Sequence, residues 1–497
     1  MHCVLVCPLF IKECVPSLKS NVSSFLLPLS CRIKGGNEIQ KGRHFIFMKN
    51  MIKDLFNVDE GQIEHFESHN DEEGNIIIHL RLKPISDPLL CPVCGNKLCG
   101  NGITEKKINH KILADRNCKL FYEARRYRCK KCDYSQYERN PFAMNGFNNS
   151  IPVMNQVMKD LHDPRLNYTM IGKRNDMSVN EVITYFDSFV TIPYIPLPEN
   201  LGIDEIHSKM AKRKNSSYLC VLTDNDCFSL VDILTSRSKY ELNNFLSQKP
   251  LAEREKVKYV TIDMWRPYKE MALKWFPNVI VAVDPFHVIE HLSDCFTKIR
   301  IRVMKSKIYG SNAYYLLKSW HKLLESDKYD LNNEPRYNHV LKMKVNYNDI
   351  YKMLLEIDEG LTTAYELKEA YRDFNRRCTY EEAERKLDEL IALFQKENIK
   401  EYEEFVNIMI SWKKEIVNSF ILSEVTGQRL SNAKSESMNE QIGLNISISK
   451  GLANFLRFRK RMLYCFNDRL FYALTSKLTS MKRSLKQKKE EEKKKKL

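Results

Sequence analysis

No stretch of about 18 consecutive apolar residues occurs in the 497-residue chain, so the sequence offers no membrane span. No internal repeat is present, which excludes solenoid and array architectures. The 15 cysteines are scattered through a large, charged chain. They form no dense disulfide framework, and that favours reduced thiols in the cytoplasm. The opening apolar runs are broken by Lys12 and Glu13 and follow no basic segment, unlike a secretory signal. Residues 1–47, with Cys3, Cys7, Cys14 and Cys31, read as a non-native or disordered extension, and Met48 or Met51 as the translation start.

Acidic residues fall short of basic ones: Asp and Glu number 63 against 79 Lys and Arg, a net charge of +16. Such a surplus suits a polyanion, nucleic acid first, although it also serves plain solubility. Part of it lies in the tail Lys482–Lys496, where Glu490, Glu491 and Glu492 dilute it. A chain of this length holds two to four domains.

The order of textures sets expected boundaries. Residues 48–147 mix strand-like runs such as NIIIHLRL (75–82) with cysteine pairs, and 148–191 are helical in pattern. The three prolines of IPYIPLP (192–198) make a stiff linker. Beyond Leu201, LGIDEIHS is a strand, and YLCVLTD (218–224) and FSLVDIL (228–234) form a hairpin. A helix (238–248), a strand (256–264), a helix (266–276) and a strand (278–286) follow. This order predicts an α/β fold, a mixed sheet with helices on its faces. From His287 to about Gly427 the pattern is almost wholly helical.

Cys91, Cys94, Cys129 and Cys132 form two CxxC pairs. Two intervening residues let both thiolates of a knuckle reach one Zn²⁺, and two knuckles complete a closed, structural Cys₄ site. Cys99 and Cys118, between the pairs, read as buried small residues or substitute ligands. Arg125, Arg126, Tyr127 and Arg128 put positive charge beside the second knuckle.

The segment YTMIGKRNDMSVNEVITYF (168–186) fits a helix-turn-helix. Thr169 starts the first helix, Asn175-Asp176 turns, and Ser178 caps the second. Val179, Val182, Ile183 and Phe186 give that helix an apolar face, and Asn180, Glu181 and Thr184 lie opposite, able to read base edges. An ordinary helical hairpin has the same pattern.

Asp204 lies in the first strand of the α/β region and Asp263 ends a later one. Aspartates converging at a sheet mouth, with a third carboxylate, can hold two Mg²⁺ for in-line attack on phosphorus. Singly, each also suits a turn or a helix cap.

Asp204 in IDEIHSK, Asp263 in TIDMWRPY, DPFHVIEHL (284–292) and SNAKSESMNEQI (431–442) together resemble the ISL-three family of bacterial insertion-sequence transposases. The resemblance runs from about residue 50 to about 470. It takes in the double CxxC, the helix-turn-helix, AYELKEAYRDF (364–374) and KGLANFLRFRKRM (450–462). It implies an RNase H-like core split by an all-α insertion: first part 199–299, insertion 300–427, last part 428–475, basic tail 476–497. It implies a DDE transposase with Asp204, Asp263 and Glu436 as catalytic, metal-holding carboxylates. Glu436, Asn439, Glu440 and Gly443 share one face of a helix, which leaves Glu440 as competitor for Glu436.

Asp284 and His287 form a DxxH pattern that positions DNA, supports the metal site, or is simply an Asp-Pro turn with a helix cap. Trp265 and Tyr268 stack on nucleotides or, the safer reading, pack their helix. Lys434, Lys450, Arg457 and Arg459 are candidate phosphate contacts. The resemblance further implies two catalytic Mg²⁺, with Mn²⁺ as substitute, and double-stranded DNA, both transposon ends and target, as partner. It also implies a homo-oligomer on DNA, no membrane, and a bacterial cytoplasm with nucleoid association. The alternatives are an inactive, transposase-derived DNA-binding regulator and a nuclease without strand transfer.

Overall fold

A computed structural model describes Phe56 and residues 58–467, except 86, 114–115, 145, 209–216, 327–328 and 450–453. The expected 1–47 extension, the basic tail and Lys450 lie outside the described residues. The chain divides into two compact units, one reaching to Asn155 and the other beginning at Gln156.

The first unit is a five-stranded sheet. Strands β1 (Ile63–Asn70), β2 (Ile76–Leu82), β3 (Leu98–Leu113), β4 (Arg116–Cys129) and β5 (Ser135–Tyr137) run in the order β1-β2-β4-β3, with β5 against β4. The long β3–β4 hairpin is the connection between the two cysteine pairs. Its core side buries Ile108, Cys118, Leu120 and Tyr122 against Ile78 and Leu80. Cys118 is therefore a core residue, while Cys99 is half-buried opposite Arg128.

The second unit begins within α1 (Ile151–His162). Helices α2 (Tyr168–Arg174) and α3 (Val179–Phe189) follow. The first helix starts at Tyr168, one residue before the expected Thr169, because Asn167 caps it by accepting from Met170 N. Asp176 takes φ +50° in the turn. Gly172 faces Met177 O where a Cβ would sit 2.7 Å away, so only glycine lets the turn close this tightly. Ser178 caps α3 in a full capping box with Glu181.

Five strands make the second sheet: β6 (Asn200–His207), β7 (Tyr218–Asp224), β8 (Ser229–Leu234), β9 (Tyr259–Ile262) and β10 (Ile280–Val283), in the order β10-β9-β6-β7-β8. The pairs β6–β7 and β7–β8 are antiparallel, whereas β9 and β10 run parallel to β6. The parallel connections are α4 (Lys239–Ser247) with the one-turn helix Leu251–Arg254, and α5 (Arg266–Trp275). One face buries Leu201, Ile203, Val260, Ile262 and Val283 in the main core. The other packs Ile206, Leu219 and Val221 on Met438 and Ile442.

Helix α6 (Pro285–Ser306) leads into the helical region: α7 (Asn312–Ser319), α8 (Tyr347–Leu355), α9 (Glu359–Arg377), α10 (Tyr380–Glu397), α11 (Glu403–Ser411) and α12 (Lys413–Asn418). Its core joins the main one through Leu316, Ile350, Leu367, Tyr371, Phe394 and Phe405. The region is not wholly helical. A two-stranded hairpin, β11 (Arg336–Asn338) with β12 (Met343–Val345), interrupts it. Its strands span only three residues each, too short for a period-2 pattern to stand out from the surrounding helical repeat. Helices α13 (Ala433–Ile448) and α14 (Phe455–Cys465) close the described chain. Among the described residues no helix is long and apolar enough to cross a membrane.

Candidate active site

The register of the second sheet decides where its acids meet. Ile203 pairs with Ile262, and Ile262 with Val283. The next residue along each of these three adjacent parallel strands is an aspartate: Asp204, Asp263 and Asp284. Side chains alternate along a strand, so the residues below them, each no more than 1 % exposed, anchor the main core. At about 1.5–3 kcal/mol for each fully buried Ile or Val, that row fixes the aspartates' level.

Asp204 shares the parity of Ile206, which packs on α13, and thus lies on the helix side of the sheet. Its neighbour Glu205 has the opposite parity and is held by Arg237 at 2.6 and 2.7 Å, whose guanidinium lies over Tyr218 and Trp265.

Helix α13 approaches the sheet through a polar seam. Asn432, fully buried, donates from its backbone N to Asp284 Oδ1 (3.3 Å) and from its side chain to Ile203 O (3.3 Å). Asn225 Nδ2 donates to Asn432 Oδ1 (3.2 Å), and Ser435 Oγ to Asn225 Oδ1 (3.0 Å). Lys434 Nζ donates to Asp226 O at 2.8 Å. The approach depends on Gly202, where a Cβ would sit 2.5 Å from Thr223 Oγ1, 2.6 Å from Asn225 Oδ1 and 2.7 Å from Ser435 Oγ.

This seam brings Glu436, in the first turn of α13, over the aspartate row. Asn439, one turn on, donates to Asp204 Oδ2 at 2.7 Å, while Asp204 Oδ1 accepts from Glu205 N. Glu440 is exposed. Among the described residues, Asp284, His287 and Glu436 form a group whose ligand atoms all lie within 4.8 Å of one another. Asp204 and Asp263 stand outside that group. Asp284 does not cap its own helix; its carboxylate turns to the loop before α13.

The electrostatics follow from crowding acids in a partly dry site. Burial, then Glu205 and Asp204, pushes Asp263 up to about 6, against a lowering by His287. Burial, then Asp284, pushes Glu436 up to about 7. Asp204 is raised as well, chiefly by burial. Burial opposes charge on His287, but Asp284, Glu290, Asp204 and Asp263 outweigh it and hold the imidazole above its ordinary value. Asp284 Oδ2 and Glu436 Oε1 are buried acceptors that face no donor. A proton held on Glu436 or, with both ionised, a cation satisfies them. Hard carboxylate oxygens in this number fit Mg²⁺.

Trp265 and Tyr268 meet edge to face at 4.6 Å, with Tyr268 fully buried: this pair packs the start of α5.

The region 201–462 matches a family model described as transposase, and this is more than half of the 497 residues. The chain belongs to the ISL-three family of DDE transposases. No curated protein matches it. The family match encloses the whole aspartate row, the helical region and α13.

The four paired cysteines converge in the first unit. Their sulfurs all lie within 4.8 Å of one another, with Cys91–Cys132 at 3.4 Å and Cys94–Cys129 at 3.5 Å. A Zn–S bond of ~2.3 Å in a tetrahedron gives an edge of ~3.8 Å, so the set fits Zn²⁺. Each knuckle turns through a left-handed residue, Gly95 at φ +72° and Asp133 at φ +56°.

The expected DNA contacts have diverse surroundings. Asn180, Glu181 and Thr184 are all exposed. Glu181, however, spends its carboxylate on Ser178 N and Oγ, and Thr184 Oγ1 donates to Asn180 O at 2.7 Å. Arg457 pairs with Asp187 at 2.7 Å and Arg459 with Asp232. Arg461, buried, donates to the carbonyls of Leu161, Asp163 and Leu166. The basic face of α14 thus joins the helix-turn-helix to the sheet. Asn432, Ser435 and Gly202 escaped the sequence reading, which placed Asn439 on the face of Glu436 but gave it no role. The signal was a helix whose inward positions, such as Ser435 and Asn445, are polar where leucine is usual.

Proposed function

We propose that this transposase cuts and joins DNA at Asp204, Asp263 and Glu436, with Asp284 and His287 supporting them. The observation that carries the reading is the row of three aspartates on adjacent parallel strands with Glu436 brought over it. The strand order β10-β9-β6-β7-β8, antiparallel within β6–β8 and parallel in β6-β9-β10, supports an RNase H-like core. The helical region 300–427 then reads as an insertion between the second aspartate and the glutamate.

Two Mg²⁺ bound by these carboxylates would neutralise phosphodiester charge and activate first water, then a 3′ hydroxyl. The chain's own residues prepare that chemistry. Asn439 holds Asp204 in one orientation, Asn432 does the same for Asp284, and the apolar row beneath keeps the acids level. The raised affinity of Glu436 and His287 for protons lets either hold one near neutral pH. The zinc module (48–147, Cys91, Cys94, Cys129, Cys132 on Zn²⁺) and the helix-turn-helix (148–191) read the element's terminal inverted repeats. Two ends must be held together, which calls for a homo-oligomer on DNA at the nucleoid.

The test is cleavage of labelled element ends by the full chain with Mg²⁺, beside Asp204→Asn, Asp263→Asn and Glu436→Gln. Each variant should cut roughly 10³-fold more slowly, equivalent to ~4 kcal/mol, while binding the ends as the parent does. Unimpaired cutting by one variant removes that residue from the site, and Glu440 then replaces Glu436. Binding without cutting by the parent would leave a DNA-binding regulator.

A further inference from the structure

The β11–β12 hairpin is exposed on both faces. Arg336, Tyr337, His339, Val340, Lys342, Met343 and Lys344 all stand out to solvent, with Tyr337 53 % and Val340 and Met343 each 44 % exposed. A two-stranded ribbon normally persists by burying one face. It is seated at three points, the first being Leu341 in the turn, which packs against the main core. Val345 enters the main core, and Asn338 Nδ2 donates to Tyr315 OH at 3.2 Å. The turn is ordered rather than loose, since Asn338 Oδ1 accepts from Val340 N and Leu341 N at 3.0 and 3.1 Å. Seated through Leu341, Asn338 and Val345 and otherwise bare, the ribbon has the form of a surface kept for something else.

Its charge says what. From Pro335 to Asn348 no acidic residue occurs, while Arg336, Lys342 and Lys344 are all basic. None of the three has an ion pair among the described residues, in contrast to Arg457 and Arg459. Tyr337 pairs across the ribbon with Lys344, which sets an aromatic ring beside a cation. Unpaired cations around an exposed aromatic on a two-stranded ribbon match a nucleic-acid backbone and its sugars or bases.

We propose that the β11–β12 hairpin is a DNA-contacting ribbon, with Arg336, Lys342 and Lys344 on phosphates and Tyr337 against a sugar or base. It rests on the reading of this chain as a DNA transposase, and adds to the zinc module and helix-turn-helix a contact carried by the helical region. Its recognition is of backbone, not of sequence.

The experiment measures affinity of the full chain for duplex DNA across a salt series. The parent is compared with a triple variant (Arg336→Ala, Lys342→Ala, Lys344→Ala), with Tyr337→Ala, and with a charge-matched control (Lys396→Ala, Lys400→Ala, Lys414→Ala). Loss of about three phosphate contacts should flatten the log–log salt slope by roughly 2–3 and lower affinity at least tenfold at low salt. The control should keep the parent's slope. Tyr337→Ala should weaken binding without changing the slope. Melting temperatures should be unchanged, since the substituted side chains are exposed and only Tyr337 makes a ring contact, edge to face with the likewise exposed His339. A triple variant with the parent's slope, or a control flattened equally, overturns the ribbon and leaves the transposase reading intact. A parent that binds no DNA overturns both.

Discussion

At the scale of single residues, the site is defined by acids made uncomfortable. Glu436 at about 7 and Asp263 at about 6 bind protons more tightly folded than unfolded. A raised folded pKa contributes stability that is complete below the unfolded value and is lost as pH rises through the folded one. The metal-free protein should therefore melt at falling temperature between about pH 5 and about pH 8. Added Mg²⁺ should reverse the loss, most strongly at the upper end, because only the deprotonated carboxylates bind it. Glu436→Gln should flatten the metal-free profile. Thermal melts across pH with and without Mg²⁺ check this, and a parent profile that is already flat would sink it.

Individual residues also show why part of the site was legible and part was not. Asp204 within one strand-like run and Asp263 at the end of another were legible as candidates, though each singly also suited a turn or a helix cap. Asp284 was visible by the same cue but was indistinguishable from a helix cap until its carboxylate was seen turned to Asn432. Glu436 was reached only through resemblance, since nothing local separates it from Glu440. Asn439 acts through its side chain, and Asn432 through both its backbone N and its side chain, on residues more than 140 positions away, which no local pattern encodes. Arg457 and Arg459 have the composition of phosphate contacts, yet each meets an aspartate that only folding brings near.

At the scale of elements, α13 decides whether the site is assembled. Its first turn docks on β6 and β7 through hydrogen bonds rather than apolar packing, and the fit tolerates nothing larger than hydrogen at Gly202. Gly202→Ala puts a methyl among three oxygens within 2.7 Å. Overpacking of this kind costs roughly 1–3 kcal/mol. Cleavage should fall much further than that stability loss explains, because the helix bearing Glu436 must shift, while DNA binding stays. Chemical denaturation together with the cleavage assay checks it; equal cutting by a destabilised variant would show that the seam does not position the acid. The strand and helix order of the sheet was legible because each element carries its own period. The β3–β4 hairpin was not, for the isoleucines of its first strand, Ile103, Ile108 and Ile112, follow no period of two.

At the scale of the whole molecule, the two units are stabilised by different means. The second has a core running from the sheet through the helices. The first has a smaller core in its sheet and a separate small cluster of Cys91, Leu98 and Cys129 around the cysteines. Chelation of Zn²⁺ should therefore lower the melting of the first unit alone, and Cys129→Ser should do the same without chelator. Calorimetry of the full chain, with metal analysis giving about one zinc per chain, tests this. A single transition that ignores the chelator would remove zinc from the account.

Because the acid on α13 follows the long helical region, the chain also has a schedule. Asp263 and Glu436 stand 436 − 263 = 173 positions apart. A ribosome adding roughly 5–20 residues per second delivers the glutamate about 10–35 s after the aspartate. Under the proposed reading, a chain still on its message has its zinc module early, but through that whole interval it has neither a means to cut nor α14, to which the helix-turn-helix is bonded. A product stopped within the helical region would keep that state permanently, without a cutting site and without the helix that seats its helix-turn-helix.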